Sequence, residues 1–449
     1  MPSLGRGLHE LIGNRSLNSS LSLLDVEPPE SYDSLLRCVA YSTPTSCKII
    51  PTPWTCRTLT YEPRTTSALK LQTRTRYKTV DKKVRPVPSY MPDPAGQVFK
   101  PVEIEYPEPL TMSPPLLNDF VPTPRLSRKR LDIILSSIPS GFLSLREIDL
   151  LVHVLRMHEA ALAFDDSERG TFSDKFFPPY VIPVIEHVPW VQPPICIPKA
   201  IEHTVRGILE KHKKAGKYED SSASYRSRIF PVAKKEGRIN YDHIRLVQDV
   251  QKLNQVTVRD AGLPPRIDDF AEGFVRRTIY GLFDLFSGYD GRSLAIESRP
   301  LTTFSSLIGP LHNCTLPQGA INSVCEFQRC VNHTLREEIP ENGDAFIDDI
   351  GIKGPTSRYG DVCIAPNIRR FLYEYASTVD RFLLRMIVAG ITASGFKIVL
   401  ATSVLEIVGS IVSHDGWRVA HGIVSKISNW GELRDVSDVR SFLGTAGVG

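Results

Sequence analysis

From Phe142 onward the apolar positions recur at spacings that name elements. Ser144 followed by Glu147 has the form of a capping box, and Ile148, Leu151, Val152 and Leu155 come next at helical intervals, which predicts a helix there. A second helix is expected from Ile201, with Val205, Ile208 and Leu209 on one face and Lys211, Lys213 and Lys214 beyond them. Ile267, Phe270 and Phe274 mark a short third helix. A fourth opens at Asn322-Ser323 and places Val324, Phe327, Val331 and Leu335 on one side. The longest runs from Ile368 to Ile391, with Phe371, Leu372, Tyr375, Val379, Phe382 and Met386 as its apolar stripe. Between the helices, Thr278 to Tyr289 is aromatic, mostly apolar and closed by Ser287-Gly288, as in a buried strand. Ile407 to Trp417 alternates and turns at Asp415-Gly416, as in a hairpin.

The rest of the chain lacks this regularity. Residues 1 to about 120 are rich in Pro, Ser and Thr, and tracts such as Pro86-Val87-Pro88 favour extended chain, so a poorly ordered linker is expected. Residues 121–200 read as a helical lead-in followed by a Pro-rich strap from Pro178 to Pro198, and 201–449 as the folded body. The mixture of helices and hairpins makes the class α+β.

The chemistry converges on Asp344-Ala345-Phe346-Ile347-Asp348-Asp349-Ile350-Gly351-Ile352. Two apolar flanks close on adjacent carboxylates, which reads as a hairpin whose turn carries the charges. On a straight strand the two acids would point to opposite faces, so they can serve one site only at a bend. A solvated loop tip is the ordinary explanation of Asp-Asp, but these flanks are too apolar for one. Asp284 lies in a similar setting upstream, and an unpaired acid in an apolar strand is costly. Strands presenting Asp284 and Asp348 side by side would cradle a pair of magnesium ions, the arrangement of phosphoryl-transfer sites.

Composition narrows the setting. The formal charge of +4 is too small to argue for nucleic acid. Between Arg57 and Arg85, however, nine basic residues stand against Glu62 and Asp81. Such a strip can follow a phosphate backbone, but a solvated flexible linker is the commoner meaning of such a run. Eight cysteines occur without a CxxC pair, so no zinc spacing is apparent and a reduced, intracellular setting is expected. The apolar run from Met386 to Val412 is broken by Lys397 and Glu406, so no membrane span is expected. His153 and His158, five apart on one helix, face different ways and suggest no metal site.

The series Leu282-Phe283-Asp284-Leu285-Phe286-Ser287-Gly288-Tyr289, then Leu316-Pro317-Gln318-Gly319 leading to Phe327-Gln328, then Phe346-Ile347-Asp348-Asp349, resembles the palm motifs of reverse transcriptases. It is most similar to the gypsy-type class of LTR retrotransposons, in the divergent form found in fungal genomes. Lys234-Lys235-Glu236-Gly237 and Leu253-Asn254 precede these motifs and Phe442-Leu443-Gly444 follows them, so the resemblance covers roughly residues 125 to 449. It implies a right-hand polymerase fold with fingers, palm and a partial thumb. The implied activity is RNA-directed DNA polymerisation with two Mg2+ ions, Mn2+ being a substitute. The partners would be dNTPs and an RNA or DNA template with primer, together with a second copy of the chain or other products of the same polyprotein. The implied location is the cytoplasm, a virus-like particle or the nucleus.

The resemblance also assigns roles. Asp284 and Asp348 would bridge the metal ions with Asp349 beside them, and Lys234 and Arg245 would contact the triphosphate. Tyr289 would lie under the nucleotide sugar and exclude a 2′-hydroxyl, or else only fill the core below the turn. Gln318 would touch the nucleotide, Gly319 would allow close backbone approach, and Gln328 would be structural or face the template. The chain departs from the family pattern in two places. About five extra residues lie between Gly237 and Arg245, which would draw Lys234 away from the phosphates, and Ser394-Gly395-Phe396-Lys397 is shorter than usual. No Asp-Thr-Gly or Asp-Ser-Gly of a retroviral-type protease occurs. With the end at Gly449, primer extension without template degradation is the expectation. The competing reading is a truncated, catalytically decayed element fragment that only binds nucleic acid.

Overall fold

In the computed structural model, which describes residues 98–106, 108–233 and 244–447, the apolar runs become elements in the following order. Helix α1 spans Arg128–Leu135 and α2 spans Leu145–Met157. The Ser144 hydroxyl accepts from the Glu147 N–H, and the Glu147 carboxylate accepts from the Ser144 N–H, so the capping box is complete. Helix α3 (Lys199–Lys214) leads to β1 (Tyr218–Asp220), and a two-stranded ribbon follows, β2 (Ile229–Ala233) with β3 (Ile244–Gln248). Short helices α4 (Gln251–Val256) and α5 (Ile267–Glu272) precede β4 (Tyr280–Asp284), β5 (Phe304–Ser306) and β6 (Gly309–Asn313). Then come α6 (Ser323–Leu335), the hairpin β7 (Gly343–Phe346) and β8 (Asp349–Lys353), and the long α7 (Arg370–Ala389). Strands β9 (Val399–Thr402), β10 (Val404–Ile407), β11 (Ser410–Ser413) and β12 (Gly416–Val419) lead to helices α8 (His421–Ser428) and α9 (Val436–Ala446).

The sheet that matters for chemistry has the order β9-β4-β8-β7, antiparallel throughout. Strand periodicity divides its residues cleanly between two faces. Phe283, Ala345, Ile350 and Ile352 lie on one face, fully buried in the main core together with the apolar stripe of α7 and with Phe327 and Val331 of α6. Tyr280, Leu282 and Phe346 lie on the other, packed with Phe270 and Phe274 and with Leu405, Ile407 and Val412. Close packing of α7 demands glycine at one point of this sheet. A Cβ on Gly281 would come within 2.4 Å of the Tyr375 hydroxyl, which is held between the Tyr280 carbonyl and the Ala401 N–H.

A second, smaller sheet of order β1-β6-β5 packs against α3 through Val205, Leu209, Tyr218, Phe304 and Leu311. The segment 178–198 makes single bridges at Tyr180, Val184 and Val191 to three different parts of the body.

Three elements differ from the sequence expectation. Residues 98–106 and 108–120, assigned to an unpacked linker, are docked, and run without regular structure up to a 3-10 turn at Leu117–Asp119. Val102 and Leu110 are buried, Phe99 lies edge-on to Phe177, and the Leu110 carbonyl accepts from Tyr373. The expected hairpin from Ile407 to Trp417 is part of a three-stranded meander, because the chain also turns at Val408-Gly409, both at positive φ. The long helix starts at Arg370 rather than Ile368, since Ile368–Arg369 pairs back onto Cys363–Ala365 across a left-handed Asn367.

Candidate active site

The register of the main sheet assembles the acids. Asp284 ends β4 and Asp349 begins β8, and the two are direct cross-strand partners. By the two-residue period they lie on the face opposite α6 and α7, one step beyond Leu282 and Gly351. Asp348 occupies the turn between Phe346 and Asp349, so the adjacent acids escape the alternation of a straight strand. Its carbonyl accepts from the Leu285 N–H at 2.8 Å, which ties the turn to the end of β4.

The turn is tight and strained. Ile347 has φ +57°, an uncommon conformation for a β-branched residue. Gln328 of α6 holds it there. Its Oε1 accepts from the Ile347 N–H at 2.7 Å, and its Nε2 donates to the Ala345 carbonyl at 2.9 Å and to Asn332 Oδ1 at 2.7 Å. Gln328 is therefore a structural clamp on the acid-bearing turn.

Asp284, Asp348, Tyr289, Gln318, Ser394 and Lys397 line one cavity of about 250 Å³. Tyr289 reaches it from the 3-10 turn Gly288–Gly291 and stacks on Phe327 with ring centroids 4.9 Å apart. Gly288 permits this, because a Cβ there would lie 2.4 Å from the Phe327 ring. The turn is anchored by the buried pair Arg292 and Glu326, with Nε and Nη2 donating to Oε1 at 3.0 and 2.8 Å. Arg292 also donates to the carbonyls of Phe177 and Pro178. Gln318 is exposed at the mouth. Its neighbour Gly319 has φ +89°, and the Gly319 carbonyl accepts from Asn254 at 3.0 Å.

The electrostatics are those of crowded carboxylates. Burial, then the neighbouring Asp348 and Asp284 charges, push the Asp349 carboxyl up to about 6. Burial also raises Asp348, with Asp284 contributing. Lys397 answers part of this charge. Its ammonium donates to both Asp284 oxygens, at 3.0 and 2.9 Å. Burial pushes the Tyr289 hydroxyl up to about 12, so the ring enters the cavity as a neutral phenol.

The other sequence-based candidates stand apart from this group. Arg245 is an exposed residue of β3 opposite Val232 and does not line the cavity. Gly319 lies beside the lining residue Gln318 rather than in the wall. Lys234 and the extra residues of the β2–β3 tip lie outside the described residues. Of the two roles open to Gln328, the structure shows a structural one, on the turn at Ile347. Sequence reasoning missed the Lys397 contact, which joins residues 113 apart along the chain.

Comparison with solved structures defines the class. The chain is similar to a foamy viral protease-reverse transcriptase solved with double-stranded DNA, at TM-score 0.60 and 19% identity over 76% of this chain and 54% of that one. It is also similar to the same viral protein solved with an RNA/DNA hybrid, at TM-score 0.59 and 18% identity over 73% of this chain and 40% of that one. The fold is the right-hand polymerase fold of reverse transcriptases, with fingers, palm and the start of a thumb. Within that class, the sequence is 30% identical over 234 residues to the Pol polyprotein of the transposon gypsy from Drosophila melanogaster, covering 52% of this chain and 21% of the relative. The chain spans about a fifth of the length of that polyprotein. No protein-family model matches it.

Proposed function

We propose that the chain is an RNA-directed DNA polymerase of a retrotransposon, joining a dNTP to a primer 3′-hydroxyl on a nucleic-acid template. The observation that carries the reading is the meeting of Asp284, Asp348 and Asp349 at one end of a sheet, above a cavity shared with Tyr289 and Gln318. The donors fit a pair of hard divalent cations. They are oxygens only, and burial and mutual repulsion raise Asp348 and Asp349, a strain that added positive charge relieves. Asp284 and Asp348 would hold the ions, and Asp349 would support them from beside. Two Mg2+ ions, or Mn2+ in their place, supply when bound the activation of the attacking hydroxyl and neutralisation of the reacting phosphate.

The chain's own residues do the positioning. The Tyr289 ring, fixed flat against Phe327, would close the space under the sugar and reject a 2′-hydroxyl. Gln318 at the mouth would contact the nucleotide, and the exposed glycine beside it leaves room for backbone to approach. Arg245, with Lys234, would meet the triphosphate from the ribbon β2–β3. The foamy viral relatives of this fold were solved with double-stranded DNA and with an RNA/DNA hybrid, which supports a primed duplex as the partner.

One observation favours the second reading, a decayed fragment that only binds nucleic acid. Lys397 forms an ion pair with the carboxylate a metal would take. Magnesium-dependent incorporation on a primed RNA template separates the two. Wild type extends the primer, and Asp348→Asn reduces extension to background while circular dichroism stays unchanged. Equal extension by the Asn variant refutes the assignment.

A further inference from the structure

The sheet β1-β6-β5 carries a group of side chains that the polymerase reading does not use. Glu219 on β1 and His312 on β6 are directly opposed in the antiparallel register, so their side chains share one face. Cys314 lies two residues beyond His312. Its N–H donates to the Lys217 carbonyl at 2.9 Å, so pairing continues through it and the strand period returns its side chain to that same face. A carboxylate oxygen, an imidazole nitrogen and a thiol sulfur thereby come within 4.8 Å of one another. Cys314 is buried, His312 is mostly buried, and Glu219 stands at the solvent edge. His312 Nε2 lies 3.4 Å from Glu219 Oε2, while Nδ1 is buried without a hydrogen-bond partner among the described residues.

A buried cysteine or an exposed Glu–His pair is ordinary when it occurs singly. Three different ligating atoms brought together from two strands are not required by packing. We propose that Glu219, His312 and Cys314 form a site for one zinc-class divalent cation, with a fourth position open to water. Sulfur, nitrogen and oxygen donors suit a borderline-soft ion and do not suit Mg2+, which prefers oxygen throughout. As the Sγ–metal bond forms, the Cys314 thiol gives its proton to solvent. Arg299, whose Nη1 donates to Glu219 Oε2 at 2.8 Å, competes with the ion for the carboxylate. A bound ion would tie β1 to the segment that reaches Gln318 four residues after Cys314. The sequence concealed this site because His312-x-Cys314 matches no zinc spacing and the third ligand is 93 residues away.

Cobalt(II) titration of the reduced full chain tests the site. The expected result is a near-ultraviolet thiolate-to-cobalt band that saturates at about one equivalent and is abolished by Zn2+. Cys196→Ser and Cys363→Ser, which alter exposed cysteines elsewhere, keep the band, and Cys314→Ser loses it. Glu219→Gln keeps the size of a side chain at the solvent edge and removes its charge, and weakens binding by at least about tenfold. Arg299→Ala strengthens it. Absence of the band in wild type, its persistence in Cys314→Ser, or unchanged affinity in Glu219→Gln overturns the proposal. If Cys314→Ser misfolds, the Glu219→Gln result decides. The palm aspartates offer no sulfur and cannot produce this band, so failure here and failure of the polymerase reading are read separately.

Discussion

Replacing Gln328 by methionine keeps the length of the side chain and removes every polar contact it makes to the acid-bearing turn. Two groups are then orphaned: the Ile347 N–H and the carbonyl of the fully buried Ala345. Each costs about 1–3 kcal/mol when left without a partner. Asn332 is only half-buried and turns to water at little cost. Transferring a thioether rather than an amide into this buried position returns about 1–2 kcal/mol. At the middle of these ranges the orphans cost about 4 kcal/mol and the return is about 1.5, a net loss of roughly 2–3 kcal/mol localised in the hairpin β7–β8. Ile347 adds a second effect. A left-handed non-glycine residue stores about 1–2 kcal/mol, so an unclamped turn relaxes and carries Asp348 with it.

The assay is amide hydrogen exchange of the peptide spanning residues 343–353, because it reports local opening rather than global unfolding. Gln328→Met should exchange roughly 30- to 150-fold faster there, the equivalent of 2–3 kcal/mol. Mn2+ binding should weaken in parallel. Exchange and Mn2+ affinity both indistinguishable from wild type would refute the clamp.

Three further outcomes follow from the site. Asp349 is raised in the folded state, so its contribution to stability is full below the unfolded value near 4 and is lost as pH climbs through about 6. In metal-free protein the thermal midpoint of wild type should therefore fall relative to Asp349→Asn across that window, and superimposable pH profiles would exclude it. Arg292→Met leaves buried Glu326 with only the half-exposed Arg329 as a cation and should cost about 3 kcal/mol in urea unfolding, against under 1 if the pair were solvated. Lys397→Met removes a cation that is itself 64% exposed, hence well screened. Mn2+ should bind about two- to fivefold more tightly by calorimetry, and weaker binding would mean that Lys397 assists rather than competes.

What could be read from the sequence was what neighbouring residues determine among themselves. The Asp348-Asp349 turn, the Asp284 strand and the Ser144 capping box each depend on a dozen residues or fewer, and each stands where the pattern placed it. The meander was less legible, because the β-branched run Ile407 to Val412 reads as unbroken strand. The signal for the extra turn was Gly409 alone, with Val408 forced to positive φ beside it. The docked segment 98–120 escaped notice for another reason. Its apolar residues are sparse and aperiodic, yet Phe99, Val102 and Leu110 each find a partner surface in a body formed by residues far downstream.

The features that distinguish this site from a generic one all come from pairings that no local pattern encodes. Gln328 reaches a turn 19 residues later, Lys397 reaches an acid 113 residues earlier, and Arg292 grips a helix 34 residues on. Each is a polar side chain whose partner is set by sheet register and helix packing, so its role becomes visible only once the apolar core has fixed the elements. On the proposed reading the acids hold metal, and the clamp, the buried ion pair and the competing lysine set how those acids are presented, so these three contacts are where activity would fall before the fold is lost.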